Sequence, residues 1–232
     1  MEIKNGIIIS ANPYKDKNLI CSLLCEDEII SFEVLSFFNS KKGYTNDIQV
    51  LNFGEFELYK GPTSYFKLKS YKIERSLYNS VYADSDLLIG YEYLKEILIK
   101  IPPVDEFYKY SKLIKLTIEK ILLNKSNINA YLLLFVSFYL RFIGYSIANV
   151  LEKEVDLALH EYTKESGEVL GQSLNEYLKF KEIYNKLFKN KYLDALKIVE
   201  SAPKEMVRIA LINVSRIMER LANVKINSLQ FF

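Results

Sequence analysis

The stretch "FGEFELYKGPTSYFKLKSYKIE", Phe53 to Glu74, alternates apolar with polar residues on either side of a Gly61-Pro62-Thr63-Ser64 break. A period of two marks a strand with one buried face, so the two halves read as a hairpin. In the second half Phe66 and Leu68 share one face, while Tyr65, Lys67, Lys69 and Tyr71 share the other. An outward row of tyrosines and lysines offers what single-stranded nucleic acid uses: aromatic platforms, worth about 1–3 kcal/mol per base, and cations for the phosphates. The row has a second reading. If Tyr59 stands opposite Tyr65, then Glu57 faces Lys67 and Glu55 faces Lys69. Each such pair contributes ~0.2–1 kcal/mol to the sheet and neutralises a lysine. The residues leave both readings open.

Lysines in turns, away from carboxylates, are better phosphate contacts than lysines already paired. Lys41 and Lys42 stand in the polar loop "NSKKGYTND" with Tyr44 close behind, and they are the strongest candidates. Lys60 lies at the hairpin tip, and Lys15 and Lys17 flank Asp16 in an earlier loop. Loops distant in sequence converge at one end of a small barrel, so these positions can form one surface with the hairpin row.

Other groupings carry less chemistry. Cys21 and Cys25 sit in the apolar run "LICSLLC", and the single histidine is His160, so a closed four-ligand zinc site lacks donors. A Cys-His nucleophile would need His160 brought to a buried thiol, and apolar burial makes thiols inert. Asp156, His160 and Glu161 share a short polar run, but two ligands on a helix face do not make a metal site. No G-x-x-x-x-G-K-[ST] loop is present, and no enzyme activity or cofactor is expected. Lys109, Lys112 and Lys115 form a basic stripe that reads as a solvated helix face or an extension of a nucleic-acid path. Arg141 ends an apolar run, where a long side chain reaches solvent.

These residues must be positioned by two kinds of element. The chain has 232 residues, half of them hydrophobic, enough to build one large or two small cores. With 31 Lys+Arg against 29 Asp+Glu the net charge is only +2, so a surface for a polyanion has to come from local arrangement. Up to about residue 80 short runs such as "GIIISANP", "KNLICSLLC" and "EIISFEVLSFF" are bounded by turns, which reads as an antiparallel barrel or sandwich, with the first strand stopping at Asn12-Pro13. Beyond Tyr82 the period becomes helical. One helix is capped at Asp84 or Ser85 and stopped by Pro102-Pro103. Others run over 105–123, 128–142, 174–188 and 192–199, and a last one starts near Pro203 with Val207, Leu211, Val214, Met218 and Leu221 on one stripe. The expectation is an α+β chain, a β domain over 1–82 and an all-α domain over 83–232. "INAYLLLFVSFYL" is too short to span a bilayer, and the start lacks a signal-peptide pattern, so a cytoplasmic protein is expected.

The order of motifs resembles the bacterial DNA repair protein RecO family. The opening strand with Tyr14-Lys15-Asp16-Lys17, the "SKKG" loop and the strand from Phe53 to Gly61 resemble its N-terminal oligonucleotide-binding (OB-fold) barrel. "YADSDLLIGYEYLKEIL", "YLRFIGY" and the terminal "LANVKINSLQFF" are similar to elements of its helical part. The resemblance covers most of the chain apart from about 146–190. Many members carry a four-cysteine zinc module after the Gly-Tyr element, whereas Ser146 to Gly171 holds no cysteine, so a degenerate or replaced module without zinc is expected. The resemblance implies binding of single- and double-stranded DNA and annealing of complementary strands. It also implies action with RecR, help to RecA on strands covered by single-strand-binding protein, and a contact of Arg141 with that protein's acidic C-terminal tail. A protein-protein adaptor with incidental DNA contact and an RNA-binding OB-fold protein are the alternatives.

Overall fold

A computed structural model describes residues 1–39, 47–61, 65–81, 84–145, 187 and 191–232. The protein is α+β. A five-stranded sheet, β1 (Glu2–Tyr14), β2 (Asn18–Leu24), β3 (Ile29–Val34), β4 (Phe53–Lys60) and β5 (Phe66–Arg75), is followed by helices. The strand order β1-β2-β3-β5-β4 closes on itself: β1 pairs antiparallel with β2 through its second half and with β4 through its first, and a short parallel β3–β5 pairing completes the circle.

Sequence patterns explain most of this. Ile7, Ile8 and Ile9 are consecutive and all buried, because β1 is flanked by the sheet interior and by the helix over 85–100, which packs on it. A strand covered on both sides reads as a continuous apolar run. β1 does not stop at Asn12-Pro13, as expected, but runs through to Tyr14, with Pro13 opposite Leu19. Beyond Ile7 the strand has left β4 and keeps a ladder partner on one side only, and an edge is where a residue without an N–H is tolerated. Gly6 and Gly54 stand opposite each other where β1 crosses β4. A Cβ at Gly54 would collide with the Lys72 carbonyl oxygen, and one at Gly6 with the Leu23 side chain, so the close approach requires glycine at both positions.

The helices are α1 (Tyr78–Val81), α2 (Ser85–Lys100), α3 (Phe107–Leu123), α4 (Ile128–Phe142), α5 (Tyr192–Ser201) and α6 (Lys204–Ala222), numbered through the described residues. Asp84 is the N-cap of α2, its carboxylate accepting from the N–H groups of Asp86 at 3.0 Å and Leu87 at 3.3 Å, and Pro102-Pro103 follow the helix end. The helix expected over 174–188 lies outside the described residues, apart from Leu187.

The chain divides into two compact units, Met1–Leu123 and Asn124–Phe232. The change from strand to helix comes after Arg75, close to the expected position, but α2 and α3 belong with the sheet. Arg75 pairs with Glu119 of α3, and Lys115 Nζ lies 4.0 Å from the centre of the Phe53 ring. In the second unit α4 is buried on every side from Ala130 to Leu140 and packs on α5 and α6. On α6, Val207, Leu211, Val214 and Met218 are buried as expected, while Leu221 is half-buried. Asn223 closes α6 in the left-handed conformation, and the terminal turn docks back through Ile226 N–H to Glu219 at 2.5 Å and through Arg208 to the Phe232 oxygen. No helix among the described residues is long and apolar enough to cross a membrane.

Candidate nucleic-acid interface

β4 and β5 form the expected hairpin in a different register. Tyr59 stands opposite Lys67 and Leu58 opposite Leu68, but Glu57 stands opposite Ser70. Lys69 is therefore an extra residue, a β-bulge, and the bulge swaps the faces of Ser70 to Ile73, before a second irregularity sets Arg75 opposite Phe53. Tyr71 pairs with Phe56, which is fully buried, and its hydroxyl donates to Asp47 Oδ2 at 2.9 Å. The outward row of four is thus corrected: Tyr65 and Lys67 remain together, Lys69 projects from the bulge, and Tyr71 is turned to the Phe56 side.

The expected pairings of Glu57 with Lys67 and of Glu55 with Lys69 are corrected as well. Lys69 Nζ donates to Glu57 Oε1 at 2.8 Å, the Ser70 hydroxyl donates to Glu57 Oε2 at 2.6 Å, and Glu55 stands opposite Lys72. The bond from Lys69, then that from Ser70, holds the Glu57 carboxyl below the usual carboxylate range. Lys69 is engaged; Lys67 lies across Gly61 and forms no ion pair among the described residues.

The first loop and the hairpin meet. Tyr14 and Tyr65 pack edge to face with ring centroids 6.3 Å apart, and Lys15 Nζ sits 5.0 Å from the Tyr14 ring centre. Lys60 Nζ lies 5.8 Å from the Phe66 ring centre. The turn that carries Lys15 and Lys17 thus stands beside Tyr65, two residues before Lys67, while Lys60 lies on the Phe66 face of the hairpin, and none of these lysines has a carboxylate partner among the described residues. Lys41, Lys42 and Tyr44 lie outside the described residues.

The base of the Tyr14–Asn18 turn is fixed from below. Glu33 is only 4% exposed and accepts from Asn18 Nδ2 at 2.7 Å, while Asn18 Oδ1 accepts the Ser36 N–H at 3.0 Å. Sequence reasoning missed these residues. A lone Glu inside "IISFEV", three residues before a serine turn, was the available signal.

The remaining candidates separate. The stripe on α3 is broken up: Lys109 pairs with Glu106, Lys112 lies over the Tyr108 ring and Lys115 over Phe53. Arg141 is exposed at the end of α4 with its guanidinium carbon 5.0 Å from the Phe138 ring centre. Asp156, His160 and Glu161 lie outside the described residues. Cys21 and Cys25 are buried free thiols; burial pushes both pKa values up, that of Cys25 to about 11, which suppresses thiolate chemistry. Two cysteines do not fit a four-thiolate zinc module, and among the described residues no cluster of three metal-ligating side chains occurs. No family model matches the chain, and no curated protein matches it.

Proposed function

We propose that the chain is a DNA-binding, strand-annealing repair mediator of the RecO type, and that its five-stranded sheet acts as an oligonucleotide-binding barrel. The observation that carries the reading is the Tyr14–Tyr65 contact, which joins the β1–β2 turn to the start of β5. In oligonucleotide-binding barrels the β1–β2 and β4–β5 loops flank the face that holds the strand. Here the β1–β2 turn supplies Lys15 and Lys17, and the adjoining ends of β4 and β5 supply Lys60 and Lys67, beside the rings of Tyr14 and Phe66 and with no carboxylate partner among the described residues. The closed strand order and the motif order from Tyr14 to Gly61 support the same reading.

The mechanism needs no bond chemistry. Lys15, Lys17, Lys60 and Lys67 neutralise phosphates, and tyrosine rings hold bases loosely; lowered repulsion between two complementary strands then favours their pairing. RecR, RecA and the tail of single-strand-binding protein are the partners of this proposal, with Arg141 as the contact for that acidic tail.

A protein-binding adaptor is the second reading. The engagement of Lys69 by Glu57 and the inward turn of Tyr71 favour it, since both reduce the outer row. Annealing of complementary oligonucleotides by the purified chain, with and without single-strand-binding protein, separates the two. Accelerated pairing in both conditions supports the repair reading; a rate equal to the protein-free control supports the adaptor.

A further inference from the structure

Phe37 and Phe38 follow β3 in a short 3-10 turn, and the two rings have opposite fates. Phe37 is 6% exposed, whereas Phe38 is 51% exposed. The rings meet edge to face at 88° with centroids 5.0 Å apart, so the buried ring props the exposed one. The turn is also tied down. Ser36 adopts φ 53° and gives its N–H to Asn18, and the Phe38 N–H points to the Lys17 carbonyl oxygen at 3.4 Å. Phe38 is therefore held beside the turn that carries Lys15 and Lys17, and the same turn touches Tyr65 through Tyr14.

An exposed, propped phenyl ring beside a turn whose lysines have no carboxylate partner among the described residues has what a base platform requires: a flat apolar face at fixed height next to cations that track phosphates. A duplex keeps its bases stacked inside, so such a ring serves a single strand. We infer that Phe38 is a base-stacking residue that selects single-stranded over double-stranded DNA at this surface. The inference rests on the nucleic-acid reading above and extends it to a residue outside the tyrosine-lysine hairpin.

The test titrates the full chain and its Phe38→Ala, Phe38→Leu and Phe38→Tyr variants against a single-stranded oligonucleotide carrying 2-aminopurine, at several salt concentrations, with duplex of the same sequence as competitor. Stacking loss is expected to weaken single-strand binding about tenfold in Phe38→Ala and Phe38→Leu and to reduce the change in 2-aminopurine emission, while Phe38→Tyr keeps both. Duplex affinity and the salt slope stay the same in all four proteins, because no phosphate contact is removed. Wild-type single-strand affinity in Phe38→Ala overturns the inference and leaves the proposed function standing. Recovery of binding by Phe38→Leu marks a merely apolar contact and also overturns it. A wild-type chain that ignores both oligonucleotides in dilute buffer overturns the proposed function, and this inference with it.

Discussion

Tyr14 and Tyr65 meet edge to face, ring centroids 6.3 Å apart, although 50 residues separate them in the sequence. The contact ties a three-residue turn to the start of β5 and places Lys15, above the Tyr14 ring, within reach of the hairpin. Aromatic pairs of this geometry couple by about 0.5–1.5 kcal/mol beyond the area they bury. A double-mutant cycle of Tyr14→Leu and Tyr65→Leu, followed by urea unfolding, should return a coupling energy in that range. Strictly additive losses would mean that the two loops are not held together.

Glu57 carries a prediction about acid. Its carboxyl, bonded first by Lys69 and then by Ser70, ionises below the usual range in the folded chain. A folded pKa below the unfolded one contributes stability above the unfolded value, about 4.3 for glutamate, and that contribution is lost as pH falls through the folded value. Glu57→Gln should therefore flatten the acid limb of the stability-pH curve below about pH 4.3 and leave its neutral region parallel to wild type. Superimposable acid limbs in the two proteins would contradict the pairing. In the same vein, Lys69→Gln should change oligonucleotide affinity less than Lys15→Gln, since Lys69 is already engaged.

Gly54 stands where the β5 backbone leaves no room for a side chain. Gly54→Ala forces the strands apart, and overpacking of this kind costs about 1–3 kcal/mol. The urea midpoint should fall accordingly; an unchanged midpoint would show that β4 and β5 are farther apart than described.

Much of the fold was legible in the sequence. The α+β division, the Asp84 cap, the Pro102-Pro103 stop and the stripe on α6 follow from local rules that act within a turn or two of helix. The hairpin register was not, because it depends on two irregularities, one of them the extra residue Lys69. Phe66, Leu68, Tyr71 and Ile73 keep a period of two only if a bulge falls between Leu68 and Tyr71, and the polar run Lys69-Ser70 does not by itself show which residue is extra. Phe38 was missed for a related reason. Adjacent phenylalanines cannot both face inward in a strand, yet only the turn at Ser36 decides which one is exposed. The grouping of α2 and α3 with the sheet rests on contacts such as Arg75 with Glu119, which join residues more than forty positions apart.

The most direct test of a nucleic-acid surface at the β1–β2 turn is the salt dependence of oligonucleotide binding, wild type against the Lys15→Gln/Lys17→Gln double variant. Each phosphate contact on a single strand contributes about 0.7 to the slope of log affinity on log salt, so the double variant should bind more weakly with a slope lower by about 1.4. Equal slopes in the two proteins, or a wild-type chain that fails to bind in dilute buffer, would contradict it.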